Sequence, residues 1–209
     1  MNQIARDLLQ IKAVFLSPEK PFTWASGIKS PIYCDNRLTL SYPEVRRRVA
    51  QGMADIIKAK YPECEIVMGT ATAGIPHGTL AAYLLDMPSG YVRAKAKDHG
   101  RTNQIEGKYE VGQKVVLIED LISTGGSSLE AVEALREAGL EVLGVISIFT
   151  YGMEKAKKNF EAHNCEATSL VTFDELIECA IFENYISAEN SVKVREFMKN
   201  PSDESWMTK

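Results

Sequence analysis

The chain has 209 residues, 45% hydrophobic and 25% charged, the make-up of a globular protein with room for one sizeable core. A formal net charge of −4 argues against nonspecific nucleic-acid binding, and no apolar run approaches the roughly 18 residues of a membrane span. Arg6 and Asp7 interrupt any leader-like apolar stretch, and Cys34, Cys64, Cys165 and Cys179 lie far apart with no Cys-x-x-Cys pair. A reduced, cytoplasmic protein without a disulfide or zinc framework is therefore expected.

Residues 2–16 read as a helix, because Ile4, Leu8, Ile11 and Phe15 recur at helical spacing. Residues 21–40 are rich in turn formers and short β-like pieces. Ser41-Tyr42-Pro43-Glu44 has the pattern of a capping box opening a helix whose stripe is Val45, Val49, Met53 and Ile56, with Asp55 and Arg46 to Arg48 on its solvated side. Alternating units follow. A strand at Glu65–Met68 leads through a glycine-rich turn into a helix over 74–85, and Gly90–Ala94 reads as a strand. Residues 96–110 are polar and aperiodic, a long loop. Further strands are expected at Lys114–Glu119, Val142–Ile148 and 167–171, and helices at 126–138, 153–161, 174–181 and 187–199, before a polar tail. Strands that are apolar on both faces, separated by helices, predict an α/β fold: a doubly wound, mainly parallel central sheet flanked by helices. Ligands then belong at the carboxyl ends of the strands.

Three segments carry chemistry. In Val115–Ser128 a buried strand ends in two carboxylates, Glu119 and Asp120, followed by Leu121, Ile122 and the turn Ser123-Thr124-Gly125-Gly126-Ser127-Ser128 at a helix start. Free N–H groups there attract a phosphate dianion, and the carboxylates can accept hydrogen bonds from vicinal ribose hydroxyls. No lysine follows the second glycine, so this is not a P-loop. Gly69-Thr70-Ala71-Thr72-Ala73-Gly74 is a second strand-to-helix turn of small residues, suited to another anion. The third segment, Arg93-Ala94-Lys95-Ala96-Lys97-Asp98-His99-Gly100-Arg101, opens the long loop; strand alternation would put Arg93, Lys95, Lys97 and His99 on one face, toward a polyanion. His77 reads as packed or capping, His163 as exposed, and Trp206 as part of the polar tail.

The 115–128 segment resembles the phosphoribosyl pyrophosphate signature of type I phosphoribosyltransferases. Arg-x-x-x-Lys-Asp-His-Gly at 93–100 is similar to the mobile catalytic loop of the orotate phosphoribosyltransferases, and Phe22–Arg37 to that family's small N-terminal hood. The resemblance spans roughly residues 20–150 of a single domain covering 1–209, with hood elements at about 20–40 and the loop at about 94–110. It implies Lys97 and His99 as catalytic residues. It implies Arg93, Lys97, His99 and Glu119 to Ser127 (Glu119, Asp120, Leu121, Ile122, Ser123, Thr124, Gly125, Gly126, Ser127) as donor-binding, with Ser123 also touching orotate. Tyr33 and Cys34 would line the base pocket. Magnesium is implied as the cofactor, held through pyrophosphate and water rather than directly by the protein. The partners implied are phosphoribosyl pyrophosphate, orotate and a second copy of the chain, in a homodimer whose loops reach across the interface, with no nucleic acid and no membrane.

The chain departs from the family pattern where some members carry cations: at Ala25, Ala73 and Ala94, and at Thr150-Tyr151 after the 142–148 strand. Lys29 and Lys95 are the candidates to compensate. Two other readings share the donor turn: a transferase for a different base, and a regulator that binds the donor without turning it over.

Overall fold

Asn2 caps the first helix, its side-chain oxygen accepting from the backbone N–H of Ile4 at 3.0 Å and of Ala5 at 3.4 Å. That helix, α1, spans Gln3–Gln10. It stops short of the expected residue 16 because Lys12 takes a left-handed φ of 58°, which turns the chain. Val14–Leu16 becomes strand β1. Strands β2 (Phe22–Thr23) and β3 (Lys29–Ser30) pair antiparallel, and β4 (Ile32–Cys34) pairs antiparallel with β1. A 3-10 turn over Asn36–Ser41 leads to α2, Pro43–Lys60. Ser41 closes that turn and Tyr42 is extended, so the helix opens on Pro43, which has no N–H to leave unsatisfied.

The sheet strands follow: β5 (Ile66–Thr70), helix α3 (Gly74–Leu85), β6 (Ser89–Val92), β7 (Ile105–Glu106) and β8 (Lys114–Ile122). Then come α4 (Gly126–Glu137), β9 (Glu141–Thr150), α5 (Glu154–Ala162), β10 (Ala167–Thr172), α6 (Phe173–Phe182) and α7 (Ala188–Lys199). The computed structural model describes residues 2–23, 27–94 and 104–208. The chain divides into two units, Arg46–Leu170 and a second built from Met1–Val45 with Val171–Lys209.

In the first unit six strands lie in the order β10-β9-β8-β5-β6-β7. β6, β5, β8 and β9 are mutually parallel and β7 is antiparallel to β6, so the sheet is mainly parallel as expected. Its two faces are covered differently. Gly74 and Gly78 bring α3 onto the Ile118 side of β8. Val115 and Leu117, pointing the other way, cluster with Leu129, Val132 and Leu135 of α4 and Phe160 of α5. Connections from β5 lead to one side of the sheet and those from β8 to the other. The carboxyl ends of these adjacent strands therefore form a topological switch point, where the diverging helices leave a crevice.

In the second unit α1 packs on α6, and Arg6 meets Glu183 at 2.7 Å. Helix α6 carries a capping box between Thr172 and Glu175. Phe15, Phe22, Tyr33 and Tyr185 form a chain of ring contacts under the short strands. Trp206 is 1% exposed and stacks edge-on against Phe197, so the tail is tied down rather than solvated.

Candidate active site

Strand β8 runs three residues further than its apolar pattern suggests, carrying Asp120, Leu121 and Ile122 inside it. Glu119 is buried, while Asp120 is half-buried. The side chain of Ile122 is packed in the core, so any contact it offers a ligand comes from its backbone. Its carbonyl already accepts from the Tyr151 N–H at 3.0 Å and the Thr150 hydroxyl at 3.3 Å.

The turn after β8 is shaped by one glycine. Gly125 has φ 81°, and a Cβ there would lie 2.7 Å from Phe160, so both backbone and space exclude other residues. A Cβ at Gly126 would meet nothing within 4 Å. No side chain caps α4, which leaves the first-turn N–H groups facing the exposed Gly126 and Ser127 as an anion cradle at the positive end of a 12-residue helix. Ser123 is exposed and Thr124 half-buried. Asn159 of α5 donates to the Thr124 carbonyl at 2.9 Å and pins the turn from below. Nothing at residue 159 in the sequence signals that role.

The second turn, after β5, is closed by contacts that only glycine allows. A Cβ on Gly69 would come within 2.6 Å of the Gly74 carbonyl, and one on Gly74 within 2.4 Å of the Ile118 carbonyl. Helix α3 also lacks a side-chain cap. Two uncapped helix starts therefore flank the switch point, at the ends of neighbouring strands.

Between them lies Glu119. One carboxylate oxygen accepts from the Asp120 N–H at 2.9 Å and the other from the Ser128 hydroxyl at 3.1 Å. Burial pushes its pKa up to about 7, contact with Asp120 pushes the same way, and a hydrogen bond from Thr70 pulls against both. His77, fully buried in the first turn of α3, is pushed down to about 4 by burial.

Of the cationic segment, Arg93 is described. Its side chain lies 3.7 Å from Glu106, and its backbone pairs with Gln104. Strand β6 ends at Val92, so Arg93 and Ala94 lie beyond it. Lys95, Lys97 and His99 lie outside the described residues, as do Trp24 and Ala25. On the short strands β2 to β4, Lys29 donates to the Thr23 hydroxyl at 2.7 Å, Tyr33 is exposed and Cys34 half-buried.

Comparison with known proteins bears directly on this arrangement. Residues 40–176 match the model of the phosphoribosyl transferase domain. An orotate phosphoribosyltransferase of Listeria innocua is 59% identical over 205 residues, covering 98% of this chain and 97% of that one. The chain belongs to the orotate phosphoribosyltransferases. Among solved structures, the orotate phosphoribosyltransferase of Aeropyrum pernix superposes with a TM-score of 0.74 at 28% identity, covering 84% of this chain and 96% of that one. The UMP synthase of Leishmania donovani gives 0.79 at 28% identity, covering 94% of this chain and 41% of that longer one.

In this orotate phosphoribosyltransferase the residue after the long β9 strand is Tyr151, largely buried and edge-on to Phe149 at 5.3 Å. Thr150 beside it is bound to the Ile122 carbonyl and to the Gly152 N–H. Neither is a cation. Among the described residues, no three His, Cys, Asp or Glu side chains stand close enough to hold a metal ion, and no helix is long and apolar enough to cross a membrane.

Proposed function

We propose that the protein transfers ribose 5-phosphate from phosphoribosyl pyrophosphate to orotate, giving orotidine 5′-monophosphate and pyrophosphate, a step of pyrimidine nucleotide (UMP) biosynthesis in the cytoplasm. The observation that carries this reading is the pair of uncapped helix starts on either side of one switch point, with a carboxylate pair between them. A ligand with a phosphate at one end, a pyrophosphate at the other and a diol in the middle matches that layout. The α4 turn takes the 5′-phosphate, the α3 turn the pyrophosphate, and Asp120, backed by Glu119, the ribose hydroxyls.

In the reaction the bond from ribose C1 to the pyrophosphate oxygen breaks, a bond from C1 to the base nitrogen forms, and the base loses its proton. Positive charge develops on the sugar between these events. The two carboxylates lie where that charge appears, and fixed amide dipoles hold both anionic ends in line. Lys97 and His99 act on the departing pyrophosphate as the loop closes, Arg93 joins them, and Ser123 contacts orotate. The loop is donated by the second subunit of a homodimer. Magnesium, held through the pyrophosphate oxygens and water rather than directly by the protein, would neutralise pyrophosphate charge when bound. Purified protein given phosphoribosyl pyrophosphate, magnesium and a panel of bases should release pyrophosphate with orotate. Turnover with a different base would overturn the assignment of the hood, and donor binding without turnover on any base would favour a regulator.

A further inference from the structure

Ser127 and Ser128 stand side by side in the first turn of α4, and burial gives them different tasks. Ser127 is exposed beside Gly126 on the phosphate cradle. Ser128 is 1% exposed, and its hydroxyl donates inward to one oxygen of the Glu119 carboxylate at 3.1 Å. A hydroxyl has one hydrogen to give. Here it does not cap the helix, which has no side-chain cap. Glu119, 6% exposed, accepts through its other oxygen from the Asp120 N–H at 2.9 Å. A carboxylate this buried depends on donors to carry its charge, and each donor also fixes its direction. Two donors, one on β8 and one on α4, hold two different oxygens, so the plane of the carboxylate is set.

We infer that Ser128 is a positioning residue for the transfer: its hydroxyl holds the Glu119 carboxylate beside Asp120 and ties the acids at the sugar to the helix that takes the 5′-phosphate. The inference deepens the transfer reading above and rests on it. Ser128 touches no reacting atom. It acts through Glu119, whose negative charge counts most when the sugar turns cationic. Loss of the bond therefore falls on turnover. The cradle is built from backbone N–H groups and the exposed Ser127, so donor affinity does not depend on the Ser128 hydroxyl.

Two measurements test this. The first needs neither donor nor base. At pH 8, above the value of about 7 at which Glu119 ionises, urea unfolding is followed for wild type, Ser128→Ala, Glu119→Met and the double variant. Ser128→Ala should move the folding equilibrium about tenfold toward the unfolded chain, the worth of a hydrogen bond to a charged group, and by less than about twofold in the Glu119→Met background. Equal losses in both backgrounds would overturn the inference. If Glu119→Met does not fold, Glu119→Gln takes its place, and its neutral acceptor should leave a loss of about threefold. The second measurement is steady-state kinetics with the base that the wild type turns over. Ser128→Ala should lower kcat by about tenfold or more, with the KM for phosphoribosyl pyrophosphate within about twofold of wild type. Ser127→Ala should do the reverse, raising that KM and sparing kcat. A Ser128→Ala that raises the donor KM and spares kcat would place its hydroxyl in the cradle and sink the inference. No turnover with orotate would count against the transfer reading, whereas the unfolding comparison scores the link between Ser128 and Glu119 whatever the base.

Discussion

Burial disfavours whichever form of a side chain carries charge, so Glu119 and His77 titrate in opposite senses. The folded-state pKa of Glu119, about 7, lies above its ordinary value of 4.5. Its contribution to stability is therefore complete below pH 4.5 and lost as pH rises through 7. His77 is lowered from 6.5 to about 4, so its contribution is complete above pH 6.5 and lost as pH falls through 4. The two slopes oppose each other across mildly acid pH, and each is on the order of 1 to 3 kcal/mol. Melting curves of Glu119→Gln and His77→Gln between acid and neutral pH should separate them. Relative to wild type, Glu119→Gln gains stability toward neutral pH and His77→Gln gains it toward acid pH. Parallel curves for all three proteins would show that neither group titrates in that window. The sequence marks Glu119 as functional, but its burial and its bond from Ser128 appear only in the fold.

Helix α5 holds the turn after β8 from outside the motif. Phe160 fills the space beside Gly125, and Asn159 holds the Thr124 carbonyl at 2.9 Å. Asn159→Ala should raise the KM for phosphoribosyl pyrophosphate by roughly tenfold, since a lost hydrogen bond lets the turn wander, and should leave the KM for orotate unchanged. An unchanged donor KM would show that Phe160 alone fixes the turn. At this scale apolar period and glycine punctuation located nearly every helix and strand of the sheet. They failed where a single backbone angle decides the outcome. Ile4, Leu8, Ile11 and Phe15 keep helical spacing through residue 15, yet Lys12 breaks the helix and hands Phe15 to a strand. Likewise the two glycines of the donor turn look equivalent in sequence. Space and φ require Gly125, while Gly126 contributes openness. Trp206 in a polar tail gives no local cue to its burial, because its partner, Phe197, lies on α7.

At the scale of the molecule, catalysis by loop residues 93–101 from a second subunit makes a distinct prediction. A Lys97→Ala chain lacks the loop cation, and a Gly126→Glu chain has room for its side chain but puts a negative charge in the phosphate cradle. Each variant alone should be inactive. Mixed and re-equilibrated, they should recover about a quarter of wild-type activity, because half the dimers are mixed and each holds one intact site. No recovery at all would mean that each chain supplies its own loop.

The second unit is assembled from two distant stretches of the chain: Arg6 meets Glu183, and Phe15 packs on Tyr185. During synthesis its opening residues leave the ribosome well before those partners exist, a delay on the order of ten seconds. The sheet unit, contiguous from Arg46 to Leu170, needs no such wait. The order of birth is thus the sheet unit first and the discontinuous unit afterwards, and the nascent chain carries Phe15 without its Tyr185 contact throughout that interval.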